Sequence, residues 1–199
     1  MLSAENLLEK IPVLAISGDN SAVDSILYET LKVLLKGVDA DIGQINLLPK
    51  GGRVEKICII KDGKPWLKKG LNMHLFEPSR GFTGLVIATG QSILVEDIWA
   101  ESTKEVPNPF LELASAMNEN YINDIKNPVA GILILPVKKD NDTFCTIELS
   151  RYRGRAPFNE MEEKLVNDFA VRYGSLLMDY VIDVRTRAAI NMAHQKLTT

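Results

Sequence analysis

Cysteine, histidine and excess positive charge are all scarce in this chain, and each shortage closes off a class of chemistry. The 199 residues include two cysteines, Cys58 and Cys145, and two histidines, His74 and His194. Both cysteines sit inside apolar runs that read as strands, where the thiol acts as a small core hydrophobe rather than half of a disulfide or redox pair. Such a thiol also lacks the exposed, electropositive setting of a reactive nucleophile. The histidines lie far apart and neither has a metal-ligand partner at standard spacing, so no metal site is expected. Net charge is −3, whereas a nucleic-acid binder usually carries a basic patch. Lys68-Lys69 and Lys138-Lys139 flank turn residues and read as solvated loop charge.

Long apolar runs are missing too. None approaches the length of a membrane span. Val13 to Ile16, the longest early run, follows Pro12 and is too short for the core of a secretory signal. There is no Gly-x-x-x-x-Gly-Lys-Ser/Thr phosphate cradle, and no nucleophile with a matching base, so hydrolysis has no foundation. Internal repeats and low-complexity tracts are absent. The expectation is a cytoplasmic protein with no catalytic residues and with neither nucleic acid nor membrane as partner.

What is present is an ordinary globular mixture, 46% hydrophobic and 25% charged, enough for one domain with a substantial core and an added element. Residues 1–19 hold a short amphipathic piece, Ala4 to Lys10, broken by Pro12. Ser21 is placed to cap a helix. In it Val23, Ile26, Leu27, Thr30, Leu31, Leu34 and Leu35 recur at helical spacing, and Gly37 ends it. Ile42 to Leu48 and Val54 to Ile60, separated by Pro-Lys-Gly-Gly, read as a hairpin. Asp62-Gly63 makes a further turn, and Pro65 to Met73 is an irregular or edge connection. Then comes Arg80 to Asp97, Arg-Gly-Phe-Thr-Gly-Leu-Val-Ile-Ala-Thr-Gly-Gln-Ser-Ile-Leu-Val-Glu-Asp. A short helix fits between Phe82 and Thr89, with Gly90 as its left-handed stop, and Ser92 to Ile98 is a strand.

Residues 99–128 are polar and contain Pro107, Pro109 and Pro128. Phe110 to Met117 and Tyr121 to Ile125 read as short helices over a loop. Ala130 to Val137 and Thr143 to Tyr152 form a second hairpin around Lys-Lys-Asp-Asn-Asp. Asn159 caps a helix from Glu160, with Glu162 three residues on and Phe158 as a hydrophobic staple. The expected apolar stripe runs Leu165, Phe169, Tyr173, Leu176, Tyr180, Val184, Ala188 and Met192, with no proline before His194. At about 1.5 Å per residue that helix exceeds ~50 Å, so its last turns must overhang the sheet.

The pattern Gly81-x-x-Gly84-x-Val86-x-x-Thr89-Gly90, followed by Asp97, resembles the middle of the GAF domain family of small-molecule sensor modules. The order helix, hairpin, crossover, strand, hairpin, helix is similar to that family as well. So is the ending Ile147-Glu148-Leu149, Arg151, Phe158-Asn159-Glu160, Leu165, Phe169-Ala170. The resemblance covers residues 20–182, leaving 1–19 as an N-terminal extension and 183–199 as a helical extension. It implies an α+β, GAF/PAS-like fold: a central antiparallel sheet, terminal helices on one face, and a ligand pocket roofed by loops and short helices on the other.

Strand alternation separates the two faces. Ile45 and Leu47 share one face with Cys145, Ile147 and Leu149; Gln44 and Asn46 share the other with Thr146, Glu148 and Ser150. If the resemblance holds, the first and last strands are neighbours, and Gln44, Asn46, Thr146 and Glu148 floor a polar pocket. The alternative is a solvated sheet face. Candidate roof residues are Phe82, Thr83, Val95, Asp97, Trp99, Phe110, Met117 and Tyr121, as ligand contacts or as loop packing; Asp97 reads best as the cap of the Trp99 to Ser102 turn. Arg80 meets an anion or, more simply, makes a surface salt bridge. The family's specialisations are not matched. No lysine and acid pair of the cyclic-nucleotide type follows Asn108 and Phe110, and no roof cysteine is available for a bilin or for methionine sulfoxide reduction. No cofactor is named by these residues.

Beyond Tyr180 the stripe has no sheet to cover, and pairing with a second copy would bury it. The expectation is a homodimeric sensory domain that binds a small molecule of unidentified chemistry. It would relay through the last helix to an output domain of a longer chain, which ending at Leu197-Thr-Thr in mid-pattern would suit. The competing expectation is a ligand-free dimerisation scaffold with Phe110, Met117 and Tyr121 plugging a collapsed pocket.

Overall fold

The structure is a computed structural model that describes residues 20–48, 54–65, 75–76, 81–100 and 128–197. The N-terminal piece, the Pro65 to Met73 connection beyond Pro65, Arg80 and the short helices around Phe110 and Tyr121 lie outside the described residues. In chain order the elements are α1 (Asn20–Gly37), β1 (Ile42–Leu47), β2 (Val54–Lys61), β3 (Lys64–Pro65), β4 (Leu75–Phe76), α2 (Gly81–Thr89), β5 (Ile93–Val95), β6 (Val129–Lys139), β7 (Asp142–Tyr152), α3 (Glu160–Phe169), a π-helical turn (Ala170–Gly174) and α4 (Ser175–Leu197).

Among the described residues these strands make one seven-stranded sheet in the order β3-β2-β1-β7-β6-β5, with β4 on β2. Every pairing is antiparallel, and the fold class is α+β. The hairpins close as the turn residues dictate. Asp62 and Gly63 between β2 and β3, and Asp140 and Asn141 between β6 and β7, all take positive φ, a conformation these residue types tolerate. Ser92 to Ile98 is only partly strand, because after Val95 the chain bends at Glu96 and turns at Ile98 and Trp99.

One face carries the main core. Ile26, Leu27, Leu31, Leu34 and Leu35 of α1 pack with Ile45, Leu47, Cys145, Ile147, Leu149 and residues of α3 and α4. Each such side chain, fully buried, contributes about 1.5–3 kcal/mol relative to exposure. On the other face α2 lays Phe82 and Val86 over Ile42, Ile93, Val95, Ile132 and Ile134. Gly90 ends α2 at φ 64 and returns its N–H to the Val86 carbonyl at 2.8 Å, the expected left-handed stop. Ser21 lies within the described span of the first helix, Asn20–Gly37, instead of capping it.

The C-terminal helix starts with the full capping box: Asn159 Oδ1 accepts from Met161 N and Glu162 N, and Glu162 reaches back to Asn159 N. Phe158 is not a staple, for the residue four positions into the helix is Glu163. Instead Phe158 is buried beneath Arg151, whose guanidinium carbon stands 4.2 Å from the ring centroid. Arg151 is itself buried among carbonyls. Nε donates to Asp39 O at 3.2 Å, Nη1 to Ala156 O and Pro157 O at 2.9 and 2.8 Å, and Nη2 to Val38 O and to Glu162 Oε1. All five N–H groups of the fork are used, which ties the end of α1 to the start of α3.

The expected stripe of this helix is displaced. Leu165 and Leu176 are 48% and 61% exposed, whereas Val166, Ala170, Leu177, Met178 and Val181 are buried and Tyr180 is buried as foreseen. Phe169 and Tyr173 are half-buried, their rings 5.6 Å apart. The side chains of Val184, Ala188 and Met192 lie outside the described residues. Burial is displaced by one residue on both sides of the π-helical turn, Val166 for Leu165 before it and Leu177 for Leu176 after it, so the whole helix docks through the face next to the expected one and the offset does not arise at that turn. The turn sits where the helix crosses β6 most closely: a Cβ on Gly174 would stand 2.7 Å from Val137 Cγ1. α4 runs to Leu197.

Candidate functional site: a buried polar floor under the second helix

β1 and β7 are neighbours, and their register sets Gln44 opposite Glu148 and Asn46 opposite Thr146. The pleat turns all four away from the helix-covered core. Gln44, Asn46, Thr146 and Glu148 are 3%, 1%, 1% and 6% exposed, so this face is covered and not washed by solvent. Burial obliges polar groups to find partners. Gln44 Nε2 donates to Glu148 Oε2 at 2.6 Å, and Thr83 Oγ1, reaching down from α2, donates to the same oxygen at 3.0 Å. Asn46 Nδ2 donates to Thr146 Oγ1 at 3.1 Å. Asn46 Oδ1 is buried with no partner among the described residues.

Apolar side chains frame this floor. Ile59 pairs with Gln44 across β1 and β2, and Ile134 pairs with Glu148 across β6 and β7; both are buried. Ile134 belongs to the cluster that includes Phe82 and Val95. Ile59 and Ile134 were not among the sequence candidates, although the hairpin registers would have named them as cross-strand neighbours. A β-bulge between Ile45 and Asn46 sits in the same place. Opposite it β2 spends an extra residue, Ile57, so that both Ile57 and Cys58 face the main core.

The sequence candidates thus divide. Gln44, Asn46, Thr83, Thr146 and Glu148 are brought together by hydrogen bonds or register, with Phe82 and Val95 in the apolar cluster alongside. Asp97 and Trp99 are engaged in a turn: Asp97 Oδ1 accepts from Trp99 N at 2.8 Å, and Trp99 Nε1 donates to Val129 O at 2.7 Å. The capping role expected for Asp97 is what the geometry displays. Phe110, Met117 and Tyr121 lie outside the described residues.

Neither cysteine belongs to this floor. Cys58 faces the opposite, main core, where burial, aided by the negative charge of Asp24, pushes its thiol up to about 12. Burial also pushes Cys145 well above the ordinary thiol range. Both stay protonated at neutral pH, and the thiolate is the nucleophilic form. Among the described residues no three His, Cys, Asp or Glu side chains are grouped to hold a metal ion. No helix among them is long and apolar enough to cross a membrane.

No protein-family model matches the sequence, and no curated protein matches it. Solved structures do match in shape. The GAF domain of a phosphoenolpyruvate-protein phosphotransferase from Coxiella burnetii superposes with a TM-score of 0.57 at 15% identity, over 94% of this chain and 99% of that one. A GAF domain/HD domain protein from Geobacter sulfurreducens gives 0.57 at 15% identity, over 80% and 94%. A free methionine-R-sulfoxide reductase from Neisseria meningitidis, solved with its substrate, gives 0.55 at 14% identity, over 92% and 93%. The same architecture is thus found in GAF domains and in an enzyme, and function has to be argued from the floor itself. The antiparallel sheet, the terminal helices on one face and the covered polar face opposite them give this chain a GAF-like fold.

Proposed function

We propose that the chain is a cytoplasmic sensory domain that holds a small molecule against the polar floor and signals as a homodimer through its terminal helices. The single observation that carries the binding role is the buried quartet Gln44, Asn46, Thr146 and Glu148, four polar side chains on a face an apolar layer would fill more favourably. The buried, protonated cysteines favour binding over thiol chemistry. Pairing of two copies is supported by the outward apolar side chains Met161, Leu165, Val171, Leu176, Ile182 and Ile190 along the C-terminal helix. Ligand-dependent ordering of the cover would bias the packing of that helix, and α4 would pass the change to an output domain in a longer chain.

The competing scaffold reading also has an observation in its favour, since Glu148 already takes Gln44 and Thr83 as donors without any ligand. Native mass spectrometry of the purified protein separates the two. A dimer carrying a small molecule is the expected result; a dimer that neither carries nor takes up any molecule sinks the sensor reading.

A further inference from the structure

Building on the ligand site just proposed, we infer that its occupant presents an amide-type edge, a donor and an acceptor side by side in one plane, to the carboxamide of Asn46. Asn46 is 1% exposed, yet its Oδ1 accepts nothing among the described residues. Nδ2 has spent one hydrogen on Thr146 Oγ1 at 3.1 Å, and the second makes no other bond among the described residues. A buried amide in that condition has given up its bonds to water without replacement. Turning the amide by half a rotation still leaves both a donor and an acceptor open, because the Thr146 hydroxyl then donates to the oxygen while both N–H groups and one lone pair stay unspent.

Two neighbouring features sharpen the assignment. The β-bulge falls at Asn46 and not elsewhere along β1, and bulges re-aim side chains beside sites. Gln44, two residues away on the same face, is by contrast engaged with Glu148 at 2.6 Å. The neutral carboxamide of Asn46, with one donor and one acceptor to offer, is met best by its own complement: a carboxamide, a lactam or a heterocyclic amide edge.

The test uses the purified chain with 2-pyrrolidone, nicotinamide and uracil as probes, and 1,3-dimethyluracil and benzoate as controls without the donor. Ligand-observed NMR or calorimetry should detect at least one amide probe, with the controls and the Asn46→Leu variant weaker by at least about tenfold, the loss of one well-made hydrogen bond pair. If Asn46→Leu fails to fold, the smaller Asn46→Ala, which also removes both donor and acceptor, must give the same weakening. The ligand-free double variant Asn46→Leu/Thr146→Val should raise Tm by ~2–4 °C, because it removes both halves of an incompletely paired buried group. A lowered Tm in that variant overturns the inference, as does a ligand of another class that binds Asn46→Leu as well as it binds the parent. In either case the pocket reading survives. If no molecule of any class binds, the pocket reading falls with it.

Discussion

Arg151 and Asn46 lie on adjacent central strands, β7 and β1, and face opposite sides of one sheet. Both are buried. On the helix-covered side, Arg151 has every N–H of its guanidinium engaged, four by backbone carbonyls and one by Glu162. On the other side, Asn46 keeps an oxygen with no partner among the described residues. The difference separates two uses of buried polarity. A polar group that the chain satisfies completely holds elements together; one that it leaves incomplete is available to something else.

Replacing Arg151 should have the largest effect. Arg151→Met fills much the same space but leaves four carbonyls and Glu162 without donors, so a loss of about 3–5 kcal/mol is expected in urea unfolding. A loss below ~1 kcal/mol would mean that water restores those bonds, and the contrast with Asn46 would dissolve. Gln44→Leu should come next, at about 1–3 kcal/mol, because Glu148 then loses its 2.6 Å donor while staying buried. With Asn46→Leu/Thr146→Val raising Tm, two positions on one strand face would then respond with opposite sign. Equal destabilisation at both would show the floor to be ordinary structural polarity.

The smallest effect concerns pH. The Cys58 thiol ionises near 9.0 when exposed, and burial, with the Asp24 charge, pushes it up to about 12 in the fold. Between these values the unfolded chain ionises and the folded one does not, so the contribution is fully present below pH 9 and is lost as pH rises toward 12. Alkaline melting curves of Cys58→Ala/Cys145→Ala should therefore fall less steeply above pH 9 than those of the parent. Parallel curves would remove the claim that both thiols sit on the sealed side of the sheet.

The sheet was legible because Gln44 to Leu47 and Cys145 to Ser150 alternate strictly, and a period of two leaves only one way to place Gln44, Asn46, Thr146 and Glu148 together once β1 and β7 pair. Asp97 was legible for a local reason, since an aspartate two residues before a turn N–H is a standard acceptor. The phase of the last helix was not. A stripe read at uniform helical spacing selects Leu165 and Leu176, whereas the close approach of Gly174 to Val137 goes with the neighbouring face, and Val166, Ala170 and Leu177 are buried instead. The open oxygen of Asn46 was equally hidden, because a bulge is a mismatch between two strands and neither strand records it alone.

The turn at Ala170–Gly174 has a practical consequence for anyone joining another protein to this one. Each residue advances a helix by about 100°, so the extra one sets the azimuth at which everything after Leu197 departs. Excising Val171 to regularise the spiral would swing a grafted receiver roughly a quarter of the way around the helix axis. Chimeras that share every contact on the sheet would then differ in output, and a linker series varied in single-residue steps would reveal it as a repeating rise and fall in coupling.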